Sequence, residues 1–306
     1  MIFVVLAAAS VLFAGGWYFF RFSCARNGSL TRGRENPSPW GRFQQRVEEG
    51  TAYLESCPME DLYIKSDDGL KLHALWFACE KPERIVILAH GFRGTAFGDF
   101  AGIAPFCHRN HCDLLLIDQR CCGKSEGKWI TFGAYEKKDL KKWCEAVSER
   151  NPAHLPVFLF GVSLGCASVL LASGENLPDD VRGLIGDCGY SSMRAILSQL
   201  SRKWFHIPPY PVMWIVELYC RLFAGFSMKD ADVRETLKSC RLPILLFHGR
   251  EDHFVAPSNS VANYEAAASR KQLFLIDGAK HAVSYYADTP FYEQKVLAFF
   301  RRCAGR

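Results

Sequence analysis

Residues 161–165 read Gly-Val-Ser-Leu-Gly and follow directly on the apolar run Val157-Phe158-Leu159-Phe160. A strand that enters a tight turn at G-x-S-x-G and leaves it as a helix is a nucleophile elbow. The turn forces the serine into a sparsely allowed backbone conformation, and glycine on either side removes side chains that would collide with the strand and helix. The Ser163 hydroxyl is thereby lifted clear of the sheet. A hydroxyl is a weak nucleophile and needs a base to take its proton and a third group to orient that base. His281 lies in Gly278-Ala279-Lys280-His281 after the last strand candidate, and Asp252 lies in His248-Gly249-Arg250-Glu251-Asp252 just past the one before it. The chain order Ser163, Asp252, His281 is nucleophile, acid, base, as expected when such an elbow sits on an α/β sheet. The Gly-rich turn His90-Gly91-Phe92-Arg93-Gly94 can aim the Phe92 amide, beside that of Leu164, at a developing oxyanion. The chemistry these parts support is acyl transfer.

Each position has rivals. His248 ends a strand and His253 directly follows the acid, so loop-shaping roles suit both better than that of the base. For the acid, Glu251 and Asp187 compete with Asp252, Asp187 because it closes the preceding strand. His90 and the segment Asp118–Ser125 read as structural. Glu136, Lys137 and Asp139 read as solvated residues of an exposed helix, or as loop anchors. Cys107-His108-Arg109-Asn110-His111-Cys112 is dense enough in ligand types to raise zinc. Those residues close a helix and enter a strand, and Asn110 suits a left-handed helix end, so no metal site is expected there.

The elements that must position these residues are legible from about residue 60. Asp61–Ser66 and Leu70–Phe77 form an expected antiparallel pair across the turn Asp67-Asp68-Gly69. Further strands are expected at Arg84–Ala89, Asp113–Asp118, Pro156–Phe160, Val181–Asp187, Pro243–His248 and Gln272–Asp277. Helices are expected at Tyr135–Arg150, Ser163–Ala172, Pro257–Ala268 and Phe291–Arg301. Continuous Val/Ile/Leu runs alternating with helices give an α/β fold, a mostly parallel eight-stranded sheet covered on both faces. One insertion, about residues 193–240, breaks the rhythm. It contains Trp204-Phe205-His206-Ile207-Pro208-Pro209-Tyr210-Pro211 and the apolar stretch Val212–Phe226, and is expected to form a helical cap over the strand ends where ligands bind.

The chain has 306 residues, 49% hydrophobic and 23% charged, which excludes a disordered protein. The net charge of +5 comes from scattered basic residues without the aromatic-interleaved basic runs of a nucleic-acid groove, so no nucleic acid is expected as partner. Thirteen cysteines, irregularly spaced and with no C-x-x-C pair, fit a reducing compartment better than a disulfide framework. Met1–Phe20 carries no charge and is long enough to span a bilayer as a helix, with Trp17 and Tyr18 at its end and Arg21, Arg26, Arg32 and Arg34 beyond. A cleaved signal peptide would put basic residues first, so the expectation is an uncleaved transmembrane anchor at 1–20 with the main domain cytoplasmic. A linker from Asn27 to Trp40, within a lead-in spanning 21–59, joins it to a catalytic domain at 60–306.

Together, the residues around His90–Gly94, Asp118-Gln119-Arg120 with Gly123-Lys124-Ser125, Gly161–Gly165, Asp252 and His281 resemble the α/β-hydrolase superfamily over roughly residues 60–303. With Gly186-Asp187-Cys188-Gly189-Tyr190-Ser191-Ser192 they look most like its membrane-anchored bacterial branch, related to the prolyl-oligopeptidase-like serine hydrolases. The resemblance implies Ser163 as nucleophile, His281 as general base and then acid, Asp252 as orienter, and neither metal nor organic cofactor. Cys121, Cys122 and Lys280 depart from the family's pattern where Gly or Ala, His and Gly are common. The expected function is a serine hydrolase cleaving small-molecule carboxylic esters through an acyl-enzyme. A peptidase or amidase, or a non-catalytic binding protein of the same fold, are the alternatives.

Overall fold

The computed structural model describes residues 2–26 and 40–304. The expected linker therefore lies, except for Trp40, outside the described residues. Eight strands form one sheet: β1 (Glu60–Lys65), β2 (Lys71–Phe77), β3 (Arg84–Ala89), β4 (Cys112–Asp118), β5 (Val157–Val162), β6 (Val181–Asp187), β7 (Ile244–Gly249) and β8 (Lys271–Ile276). Their order is β1-β2-β4-β3-β5-β6-β7-β8. The β1–β2 and β2–β4 pairs are antiparallel and every later pair is parallel.

The helices are α1 (Ile2–Cys24), α2 (Gln44–Ser56), α3 (Ala96–Phe100), α4 (Ile103–Arg109), α5 (Glu136–Glu149), α6 (Leu164–Ala172), α7 (Met193–Trp204), α8 (Val212–Tyr219), α9 (Val233–Leu237), α10 (Ser258–Ala266), α11 (Ser284–Ala287) and α12 (Thr289–Ala304). Successive strand residues point to opposite faces, and both faces are buried. In β3, Ile85, Ile87 and Ala89 join one core with residues of α5, α6 and α8, while Val86 and Leu88 join another with residues of α2, α4 and α12. Each such aliphatic side chain contributes about 2 kcal/mol of hydrophobic stabilisation. This two-faced burial is why the central strands read as unbroken apolar runs.

Two local readings change, and of two alternatives for a third the structure takes one. Helix α2 lies inside the stretch expected as lead-in. Only its Val47 and Leu54 are buried, too sparse an apolar stripe to mark a helix by periodicity. Close approach holds it: a Cβ on Gly50 would overlap the Ala101 backbone. At the end of α4 the left-handed residue is His111, with φ 61°, whereas Asn110 has φ −103° and caps the helix by donating Nδ2–H to the Phe106 carbonyl at 2.9 Å. Glu136 and Asp139 are buried. Glu136 accepts bonds from the Thr131 and Gly133 amides at 2.8 Å, and Asp139 pairs with Arg120 at 2.6 Å. They are loop anchors, because a buried carboxylate persists only where donors surround it.

The N-terminal helix also differs from a free-standing anchor. Helix α1 continues to Cys24, and Phe19, Phe20 and Cys24 are buried in the domain's own core. Trp17 packs on Tyr219 and Phe223, and Phe20 on Trp129, with ring centroids 4.9–5.3 Å apart. Among the described residues, no helix is long and apolar enough to cross a membrane. All thirteen cysteines are free thiols.

The 193–240 insertion is helical: α7, α8, a single π turn at Cys220–Ala224, a 3-10 turn at Met228–Ala231, and α9. It is tied to the loop after β7, since Gln199 Nε2 donates to the Phe254 carbonyl at 2.6 Å and Lys203 Nζ to that of His253 at 3.1 Å.

Candidate active site

Strand β5 ends in the elbow. Ser163 takes φ 54° and ψ −112°, a conformation that only enforced sterics sustain in a non-glycine residue. A Cβ on Gly161 would overlap the Gly165 backbone, and one on Gly165 would overlap the Ala89 carbonyl of β3. These glycines allow strand, turn and helix to interlock. The Ser163 amide donates to the Asp187 carbonyl at 2.8 Å, and its own carbonyl accepts from Ala167 at 3.1 Å as α6 begins.

The loops after β7 and β8 bring the other two residues to it. His281 Nε2 lies 3.1 Å from Ser163 Oγ, and His281 Nδ1 lies 2.6 Å from Asp252 Oδ2. The second Asp252 oxygen accepts the amides of Phe254 and Val255 at 2.8 and 2.9 Å. An ionised Asp252 can only accept, so Nδ1 of His281 carries a hydrogen and the neutral ring presents a bare Nε2 to the serine. Sequence reasoning assigned His248 a loop role and missed its place beside the acid. Its Nε2 sits 3.2 Å from Asp252 Oδ2 and 2.9 Å from the Val255 carbonyl, and its Nδ1 lies 2.6 Å from Ser260 Oγ. The signal was the spacing of His248 and Asp252, four residues apart at a strand end.

Burial opposes ionisation of Asp252, but the hydrogen bonds it accepts from His248, His281 and the Val255 amide hold its carboxyl well below the usual carboxylate range. A carboxylate with a depressed folded-state pKa stabilises the fold above its unfolded value of about 4, and loses that contribution as pH falls through the folded value. Unfolding by denaturant at stepped pH is therefore expected to show stability falling from about pH 4 downward, less steeply in Asp252→Asn. Identical acid slopes in the two proteins would refute the attribution.

The rival acids do not reach His281. Asp187 is buried and accepts from Ser284 Oγ at 2.8 Å and Tyr292 Oη at 3.1 Å, and burial raises its pKa. Glu251 and His253 are exposed. His90 is structural: Gly91's carbonyl lies 2.8 Å from Nδ1 and the Gln119 amide 3.1 Å from Nε2. An acceptor on one side and a donor on the other fix the Nδ1–H tautomer and lock the ring under the loop.

The 90–94 loop lies against the elbow, where a Cβ on Gly91 would stand 3.3 Å from that of Ser163. Gly91's amide donates to Asp99 Oδ2 at 2.6 Å and Gly94's to the Gly91 carbonyl at 3.1 Å. The next residue is Phe92, so its amide and that of Leu164 at the start of α6 belong to adjoining turns around Ser163.

The Cys107–Cys112 cluster does not converge on a metal. His108 bonds Tyr53 Oη at 3.0 Å and the Ala78 carbonyl at 3.1 Å, and the Cys107 and Cys112 thiols share a hydrogen bond. Among the described residues, the one group of three metal-ligand types is Cys188, Asp252 and His281. Burial and nearby carboxylates push the Cys188 thiol up, so it stays protonated, and the other two are already bonded to each other.

Known families fit this arrangement in two parts. The family described as the α/β hydrolase fold matches residues 84–211, and serine aminopeptidase, S33, matches residues 211–285. The chain has the α/β-hydrolase fold. The chain is 25% identical over 236 residues to the uncharacterized protein YqkD of Bacillus subtilis (strain 168), covering 77% of each chain. It is likewise 25% identical over 233 residues to the uncharacterized protein YfhR of Escherichia coli (strain K12), covering 72% of this chain and 73% of that one. Among solved structures, the Pyrococcus furiosus esterase Pf2001 superposes with a TM-score of 0.66 at 20% identity, over 81% of this chain and 94% of that one.

Proposed function

We propose that this α/β-hydrolase cleaves carboxylic esters of small molecules through an acyl-enzyme on Ser163. The observation that carries the reading is the continuous line Asp252–His281–Ser163, with links of 2.6 and 3.1 Å. In this reading Ser163 Oγ attacks the ester carbonyl while His281 Nε2 takes its proton, and Asp252 holds the resulting imidazolium. The amides of Phe92 and Leu164 donate to the oxyanion, a contribution of about 3 kcal/mol for each such donor. His281 then returns the proton to the departing alcohol, and water enters by the same route to free the acid. The cycle needs no further reactant. Esterase Pf2001 supports this substrate class by fold alone, and the serine aminopeptidase match gives a reason to test amides beside esters.

The test is labelling with a fluorophosphonate, followed by mapping of the phosphonylated peptide and a panel of esters and aminoacyl amides. A single label on Ser163 with ester turnover is expected. A label on another serine, or none, sinks the proposal.

The reading extends to the membrane-anchored, prolyl-oligopeptidase-like branch of the superfamily, with α1 seated in a bilayer and the domain cytoplasmic. Supporting it, Phe3 and Val11 of α1 are 87% and 73% exposed, and the adjoining α8 exposes Trp214 at 64%. The arginines follow the apolar stretch and favour the cytoplasmic side for what comes after it. Expressed protein is expected to stay with sedimented membranes after carbonate washing; recovery in the supernatant would remove this part of the reading.

A further inference from the structure

The residue after Phe92 stands in a backbone conformation that arginine rarely adopts, and its own side chain accounts for what keeps it there. Arg93 has φ 51°. Left-handed backbone at a non-glycine residue costs about 1 kcal/mol or more and persists only where the surroundings over-determine it. Arg93 Nη2 donates to the Phe22 carbonyl at 2.6 Å and to the Ala25 carbonyl at 3.0 Å. Its guanidinium carbon also lies 4.5 Å from the centroid of the Phe92 ring.

Phe22 is in the last turn of α1 and Ala25 just follows it. The last carbonyls of a helix have no partner within it and carry its partial negative charge, so a guanidinium is well matched to them. This helix end is itself fixed. Ile130's amide donates to the Cys24 carbonyl at 2.7 Å, Arg26's amide to that of Lys128 at 3.0 Å, and Arg26 Nη1 to that of Ser125 at 2.8 Å.

We propose that Arg93 is a positioning residue for the oxyanion donor, latching the 90–94 loop to the C-terminal carbonyls of α1. The loop is held from two sides, upstream by Asp99 on the Gly91 amide and downstream by α1 through Arg93. The Phe92 amide lies between these fastenings, and its direction depends on both. The N-terminal helix is thereby a working part of the catalytic centre, not only a tether. The inference rests on the reading of the Phe92 amide as an oxyanion donor.

The test compares the full-length parent, Arg93→Ala and Arg93→Lys in the same detergent. Outright removal of an oxyanion donor commonly costs 10²–10³ in kcat, so a misaimed donor is expected to cost about tenfold or more. Arg93→Ala should lower kcat by that factor with KM within about twofold, and weaken a trifluoromethyl ketone, which forms a tetrahedral oxyanion on the serine, in proportion. Arg93→Lys, which keeps the charge but loses the planar Nη2 that meets both carbonyls, should recover part of both. Parent kcat and parent ketone affinity in Arg93→Ala overturn the proposal. If that variant does not fold, parent values in both measurements for Arg93→Lys overturn it equally. If the parent itself turns over no ester, the proposed function fails separately, and amide hydrogen exchange decides the latch. Faster exchange at residues 91–94 in the variant supports it, and unchanged exchange overturns it.

Discussion

Replacing Ser163 by alanine is expected to abolish fluorophosphonate labelling and to lower kcat for esters by about a millionfold. The size follows from what remains. His281 Nε2, 3.1 Å from the missing oxygen, then has no proton to take, and Asp252 orients a base with no task. The backbone bonds that build the elbow, from the Ser163 amide to the Asp187 carbonyl and from Ala167 to residue 163, do not involve the hydroxyl. The variant should therefore fold and melt close to the parent, with only the weak rate that oxyanion donors and binding supply. A variant that still labels, or still hydrolyses esters at the parent rate, would overturn Ser163 as nucleophile.

Asp252→Asn is expected to cost about 10⁴-fold in kcat, through tautomer choice and with little change in shape. One oxygen of Asp252 faces two amide donors, Phe254 at 2.8 Å and Val255 at 2.9 Å. An asparagine must keep its carbonyl oxygen there, because turning its amide group toward two N–H groups would leave three donors face to face. Its NH₂ then points at His281 Nδ1 and His248 Nε2, the groups that now meet Oδ2. His281 can answer only by accepting at Nδ1, which moves its own hydrogen to Nε2 and leaves no lone pair for the serine proton. His248 is pinned by the Val255 carbonyl, so the new amide also meets an N–H there. A kcat within tenfold of the parent would show that Asp252 does not set the tautomer of His281.

The sheet was legible because its central strands are buried on both faces and so read as plain apolar runs. That Ser163, Asp252 and His281 meet was legible because each lies in a short loop at a strand end, in a chain order that suggests a role for each. Helix α2 was not, since only Val47 and Leu54 of its residues are buried and the close backbone approach at Gly50 leaves no apolar period. The inward-facing Glu136 and Asp139 were not distinguishable from a solvated pair, because their partners Thr131, Gly133 and Arg120 are chosen by tertiary packing. Arg93 was visible only as one letter of a Gly-rich turn. Its partners are backbone carbonyls, which leave no trace in a pattern of side chains.

The docking of α1 also has a consequence for the order in which the protein can be completed. Its Phe13 carbonyl accepts from Tyr219, 206 positions later, and its Phe22 carbonyl from Arg93, 71 positions later. Contacts of such separation must await synthesis of both ends and are the slowest to close. Helix α1 therefore precedes its partners in the chain and stays uncovered by them until they follow. The Arg93 contact can close before residues 193–240 are made, so the loop beside Ser163 can gain its second fastening ahead of the Tyr219 contact.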